Sequence, residues 1–164
     1  MRPSAAAAFR PLVSHDARVV RLLVTHEVSG TPYTAIVEYF LGLALEGRSE
    51  ESRGLVAEHD TDVIGVVLFG EVAGSVGTGR IHFVTVSASA RLNAIGSALC
   101  DAAVADLAAS GNRLAVAEVP DDRRLTSGIA LLARCGFREV GRVADYYRDG
   151  TDLVILARSL GRPE

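Results

Sequence analysis

Residues 84–99, Val-Thr-Val-Ser-Ala-Ser-Ala-Arg-Leu-Asn-Ala-Ile-Gly-Ser-Ala-Leu, constrain this chain more than any other stretch. A β-branched run ends at Val86, small and polar residues follow, and an alanine-rich helical pattern then runs over 90–110, with Gly111 as its stop. Such a strand–turn–helix brings the free N–H groups of a first helical turn, and the positive end of the helix dipole, to the end of a buried strand. Arg91 adds a charged donor, and Ala94 and Gly96 are small enough for a ligand to approach the backbone closely. The arrangement suits a diphosphate.

The rest of the chain supplies a sheet around this unit. Segment 8–13 reads as a short edge strand, because Pro11 is tolerated only there. Ser14 is a plausible N-cap for a first helix carrying Val19, Leu22, Leu23 and His26, and a second helix starts near Thr34 and ends at Gly47. Runs 54–59 and 63–69 form a hairpin about Asp60 and Asp62. A glycine-rich loop over 70–79 and a strand over 80–86 lead into the motif. Beyond it lie a strand at 114–119, a helix at 123–134 ended by Gly136, and strands at 137–147 and 153–160 joined through Asp149 and Gly150. The order is β-α-α-β-β-β-α-β-α-β-β, an α/β chain with a mixed sheet and helices on its faces. One domain over 8–160 is expected, with a loose leader over 1–7 and a tail over 161–164.

Composition narrows the partners. The net charge of −3, with both signs interspersed, carries no footprint for nucleic acid. No apolar run reaches the ~20 residues of a membrane helix, and the N-terminus lacks the core of a secretory signal. Cys100 and Cys135 fall in apolar helical patterns and read as buried free thiols. His15, His26, His59 and His82 have no metal-ligand spacing, so no metal site is expected. These features favour the cytoplasm.

The motif resembles motif A of the GCN5-related N-acetyltransferases (GNAT), Gln/Arg-x-x-Gly-x-Gly/Ala after a strand ending in valine. Arg91, Leu92, Asn93, Ala94, Ile95 and Gly96 match it with one departure, Ala94 in place of glycine. Alanine is tolerated there if φ is negative. The element order is that of the family, and Gly136-Phe137 matches the close of its second motif, Asn-x-x-Ala-x-x-x-Tyr-x-x-x-Gly-Phe, although Leu125 and Leu132 stand at its Asn and Tyr positions. The resemblance implies a sheet splayed between the fourth and fifth strands and acetyl-CoA as cofactor. The backbone of Val84, Thr85 and Val86 would lie along the pantetheine arm, and the amides of Leu92 to Ser97 on the pyrophosphate. It implies transfer to a primary amine, small molecule or peptide, in a ternary complex, and is compatible with a homodimer through the terminal strands. Leu132 cannot protonate the departing thiolate as the family's tyrosine does.

Attack on a thioester needs a neutral amine and therefore a base. Glu118 is the first candidate: it lies beside the implied splay and matches a glutamate in the Leu-Glu-Val segment of relatives acting on ribosomal-protein N-termini. His82 is the second, placed by period-two alternation on the face of Val84 and Val86. Tyr147 and Tyr146 are candidates for acid or substrate contact; as strand neighbours they should face opposite sides. Two other readings stay open: a silent acyl-CoA-binding sensor of the same fold, motivated by Leu132, and a dinucleotide-binding module with Glu118 as its ribose acid.

Overall fold

A computed structural model describes residues 6–161, apart from the side chains of 91–93. Seven strands form one sheet in the order β1-β2-β3-β4-β5-β7-β6. They are β1 (Ala8–Pro11), β2 (Arg53–His59), β3 (Asp62–Glu71), β4 (Thr78–Val86), β5 (Leu114–Pro120), β6 (Arg138–Arg148) and β7 (Thr151–Ser159). All neighbours are antiparallel except β4 and β5. The parallel pair is joined through a helix, because only a crossover can bring the chain back in the same direction.

The helices are α1 (Ala17–Val28), α2 (Thr34–Leu45), α3 (Ile95–Ala109) and α4 (Thr126–Arg134). In α1, Val20, Val24 and Val28 recur every four residues and are fully buried, so one face of the helix is sealed against the core. Tyr33, at the entry to α2, meets Phe83 of β4, which places α2 on one face of the sheet. The α3 helix takes the other: a Cβ at Gly79 would meet Leu107, and one at Gly65 would meet both Leu99 and Val86. Arg53 ties this layer down, pairing with Glu71 and with Asp106 of α3 while lying over the Phe69 ring. One continuous apolar core runs through both layers.

Three expectations about local structure shift. Ser14 is not the cap; the Asp16 carboxylate accepts from the Val13 N–H at 3.0 Å and holds the Arg10 guanidinium, so α1 starts at Ala17. The glycine-rich segment forms ladder on both sides, through Glu71 and from Thr78, because β3 and β4 pair out to Glu71↔Gly79. The long helix expected over 90–110 is broken: a 3-10 turn spans Ala88–Asn93, and α3 begins only at Ile95. The C-terminal stops hold, with Gly111 and Gly136 both at positive φ.

Candidate functional site

β4 and β5 pair over three rungs only, Thr78↔Leu114, Gly79↔Ala115 and Arg80↔Val116. Past Arg80, β4 continues to Val86 beside β3 alone, while β5 continues to Pro120 beside β7 alone. The two strands therefore part, as expected between the fourth and fifth strands, and a cleft opens between their carboxyl ends. Val84, Thr85, Val86 and Val119 line it from the strands, Leu131 and Leu132 from α4, and Tyr33 from the start of α2. No rung joins Val84 to Val86 with β5, so this strand edge faces the cleft.

The mouth of α3 lies beside that edge. Among the described residues no side chain caps it, and the Ala98 N–H makes the bond back to the Ala94 carbonyl. The amides of Ile95, Gly96 and Ser97 precede that bond and stand at the positive pole of a 15-residue helix. The side chains of Arg91, Leu92 and Asn93 lie outside the described residues. Ala94 does not meet the condition of a negative φ; it sits at φ 54°, ψ 20°, in the left-handed region where a Cβ costs roughly 1 kcal/mol. Ala94→Gly should therefore raise stability by about 1 kcal/mol, read as a shift of the urea midpoint at constant m-value. The small size of Gly96 also has another reason than a ligand. A Cβ there would lie 2.5 Å from Leu131 Cδ1, so the missing side chain is the room into which α4 packs.

On the α2 side of the sheet, His82 occupies a β-bulge. Leu68 pairs with Phe83 and Phe69 with Ile81, leaving His82 as the extra residue. The bulge resets the alternation, so His82 does not share the face of Val84 and Val86. Its ring stacks on Phe40 of α2 at 3.6 Å and 6°, and its Nε2–H donates to the Glu51 carbonyl at 3.0 Å. Nδ1 is buried with no hydrogen-bond partner among the described residues. The Tyr33 hydroxyl donates to the His82 carbonyl at 2.5 Å, and burial raises the phenol's pKa. Residue 82 is thus gripped through its ring edge, ring face and backbone.

Burial pulls the imidazole down to about 4, so it is neutral at pH 7. Unfolded, it takes up a proton near its ordinary value of 6.5. Between these two values the unfolded chain holds more protons, and stability falls as pH drops through that window. His82 should account for roughly 3 kcal/mol of the loss. Urea midpoints at pH 7 and 4.5 check this, since His82→Gln should lose less between the two than the parent.

Glu118 stands two residues past the last β4–β5 rung, and its Oε1 accepts from Arg80 Nη2 at 3.0 Å. The pair spans the branch point of the sheet. Tyr147 lies within electrostatic reach, and its own burial with the Glu118 charge pushes its phenol up to about 12. The Tyr33 phenol lies within electrostatic reach of Arg80, Glu118 and Tyr147. Tyr146 is 59% exposed. The two tyrosines do not face opposite sides: their rings meet edge to face at 4.9 Å, because β6 is irregular between Val143 and Arg148 and Asp145 has φ 53°.

Arg80 and Tyr33 were not among the residues expected here. A signal for Arg80 exists, the one full charge in β4, one strand away from Glu118; for Tyr33 there is only its place just before α2. Leu125 and Leu132, at the resembled Asn and Tyr positions, are buried apolar lining of the cleft. Cys100 lies within α3, whereas Cys135 is the C-cap of α4, just outside the helix; both are buried free thiols. Among the described residues no cluster could hold a metal ion, and no helix is long and apolar enough to cross a membrane.

A sequence profile of the Acetyltransferase (GNAT) family matches residues 22–137. Among solved structures, a GNAT-family protein from Desulfovibrio desulfuricans is 27% identical, with a TM-score of 0.83 over 95% of this chain and 100% of that one. A Salmonella typhimurium protein solved with its cofactor acetyl-CoA is 17% identical, with a TM-score of 0.77 over 98% of this chain and 97% of that one. A phosphinothricin acetyltransferase from Sinorhizobium meliloti, solved in complex with acetyl-CoA, is 22% identical, with a TM-score of 0.74 over 96% of this chain and 90% of that one. No curated protein matches the chain in sequence.

Proposed function

Because this chain belongs to the acetyltransferase (GNAT) family, we propose that it moves an acetyl group from acetyl-CoA directly to a primary amine, both held in the cleft between β4 and β5. The observation that carries this reading is the parting of those strands beside the mouth of α3, where the amides of Ile95, Gly96 and Ser97 precede the first intrahelical bond. The residues present fit the cofactor. The edge at Val84, Thr85 and Val86 offers peptide groups to the amides of a pantetheine arm, along an apolar wall of Leu131 and Leu132. The amides of Ile95, Gly96 and Ser97, with those of Leu92 to Ala94, offer donors and a positive pole to a diphosphate. Bound there, acetyl-CoA supplies an acyl carbon activated as a thioester.

The chain's own groups handle the protons. Glu118 takes the proton of the incoming ammonium through water, using the carboxylate oxygen that Arg80 does not hold. A strand N–H near Val84 to Val86 polarises the acyl carbonyl. Tyr147, half-buried beside Glu118, is the phenol best placed to return a proton to the leaving thiolate, a task for which Leu132 has no group. His82 acts as a positioning residue that holds the bulge, and Tyr146 contacts the acceptor at the rim. The reading extends to one acyltransferase domain over 8–160, working in the cytoplasm. It also includes a homodimer through β6, an edge strand exposing Val140, Val143 and Tyr146.

The test is ligand-induced stabilisation followed by turnover. Acetyl-CoA should raise the melting temperature while NADH does not, and free CoA should be released in the presence of amines. The reverse preference would favour the dinucleotide module. Binding of acetyl-CoA with no release across a broad amine panel would favour the sensor.

A further inference from the structure

We infer that the Tyr33 ring is the stop that fixes the length of the acyl group, so that the cleft takes acetyl and rejects the longer straight-chain CoA thioesters. The inference rests on the acetyl-transfer reading and names the acyl class that the same cleft accepts. Its starting point is that the cleft has two distinguishable ends. One is the mouth of α3, where a Cβ on Gly96 would lie 2.5 Å from Leu131 Cδ1 and 3.7 Å from Val86 Cγ1. The other lies toward the branch point of the sheet, where Tyr33 lines the cleft with Ile81 and Phe83. Between Val86 and Phe83 the strand covers roughly 10 Å. A diphosphate at the α3 mouth and a pantetheine arm along Val86 to Val84 send the thioester on toward Phe83, and its acyl chain toward Tyr33.

That end is apolar and its wall is fixed. Counting on from the Arg80↔Val116 rung, Val119 stands level with Phe83 across the gap, and both line the cleft. The charged lining residues sit elsewhere: Glu27 also borders Val86 and Ser87, and Arg134 follows Leu131 by one turn of α4. A hydrocarbon tail suits such an end, whereas an ammonium placed there would lose its water without a partner. Tyr33 is 5% exposed, and its ring lies 6.2 Å from that of Phe83 at a tilt of 57°. Its hydroxyl donates to the His82 carbonyl, so the ring cannot swing aside without leaving a buried hydrogen bond unmade. A chain longer than acetyl must displace this ring, and overfilling a packed socket is unfavourable.

The experiment measures calorimetric binding of coenzyme A, acetyl-CoA, propionyl-CoA and butyryl-CoA to the protein, so no acceptor is needed. The parent should bind butyryl-CoA about tenfold or more weakly than acetyl-CoA, with propionyl-CoA between them. Tyr33→Ala opens the end of the cleft, and butyryl-CoA should then bind at least as tightly as acetyl-CoA. Affinity for coenzyme A itself should stay within about threefold of the parent, which is the check on folding. Tyr33→Phe keeps the ring against Phe83 and should keep the preference for acetyl. A parent that binds butyryl-CoA as tightly as acetyl-CoA overturns the inference while acetyl transfer stands. So does a Tyr33→Ala variant that holds coenzyme A and still prefers acetyl, or a Tyr33→Phe variant as permissive as Tyr33→Ala. Should the parent bind neither coenzyme A nor any of its thioesters, both readings fail.

Discussion

Glu118→Gln should lower kcat roughly 10²- to 10³-fold while acetyl-CoA affinity stays within about twofold of the parent. Glutamine is isosteric with glutamate and its carbonyl can still accept from Arg80, so the pair at the branch point changes little in shape. What disappears is the ability to take a proton. An ammonium acceptor then depends on the small neutral fraction present in solution, and the loss should shrink as pH rises toward the acceptor's own pKa. Rate measured between pH 7 and 10 distinguishes this from a structural defect, which would persist at high pH. Turnover equal to the parent at pH 7 would remove Glu118 from the mechanism.

Gly96→Asp should damage the protein twice. The first effect is steric: the new Cβ would stand 2.5 Å from Leu131 Cδ1, and α4 must yield or Leu131 must leave its site. With a carboxylate placed in a buried position besides, stability should drop by about 3 kcal/mol, read by urea unfolding. The second effect is electrostatic: a negative charge at the mouth of α3 competes with a diphosphate for the same amides, and acetyl-CoA affinity should fall about 10²-fold or more. Gly96→Ala separates the two, since a methyl displaces Leu131 without adding charge. It should lose stability, by about 1 kcal/mol, with affinity falling less than tenfold. An aspartate variant with full affinity would move the diphosphate away from this helix.

Much of this architecture was legible because long apolar periodicities and turn chemistry specify it. The hairpin about Asp60 and Asp62 and the stops at Gly111 and Gly136 are local signals that tertiary packing had no reason to override. The inner face of α1 was not: Val20, Val24 and Val28 are buried where Val19, Leu22, Leu23 and His26 were expected, and Leu22 is 65% exposed. The other errors cluster where the fold departs from regular geometry. A bulge moved His82 to the other face of the sheet, an irregular ladder brought Tyr146 and Tyr147 together, and a left-handed residue broke the helix at Ala94. Counting by twos or by 3.6 residues cannot see such steps. Arg80 and Tyr33 were missed for a different reason. Their significance lies in contacts between segments far apart in the chain, Tyr33 to His82 and Arg80 to Glu118, for which one sequence carries no register. Gly96 shows the converse: a small residue expected to admit a ligand is also demanded by the neighbouring helix.

The short seam between Thr78–Arg80 and Leu114–Val116 makes the sheet two plates joined at a corner. One plate is β1 to β4 with α1 and α2; the other is β5 to β7. Widening the far end of the gap between them would break no interstrand ladder bond; what holds the plates at their present angle there is packing between side chains, such as Leu131 of α4 against Gly96 of α3. The clasp between Arg80 and Glu118 sits at the pivot and loses least leverage as the plates swing.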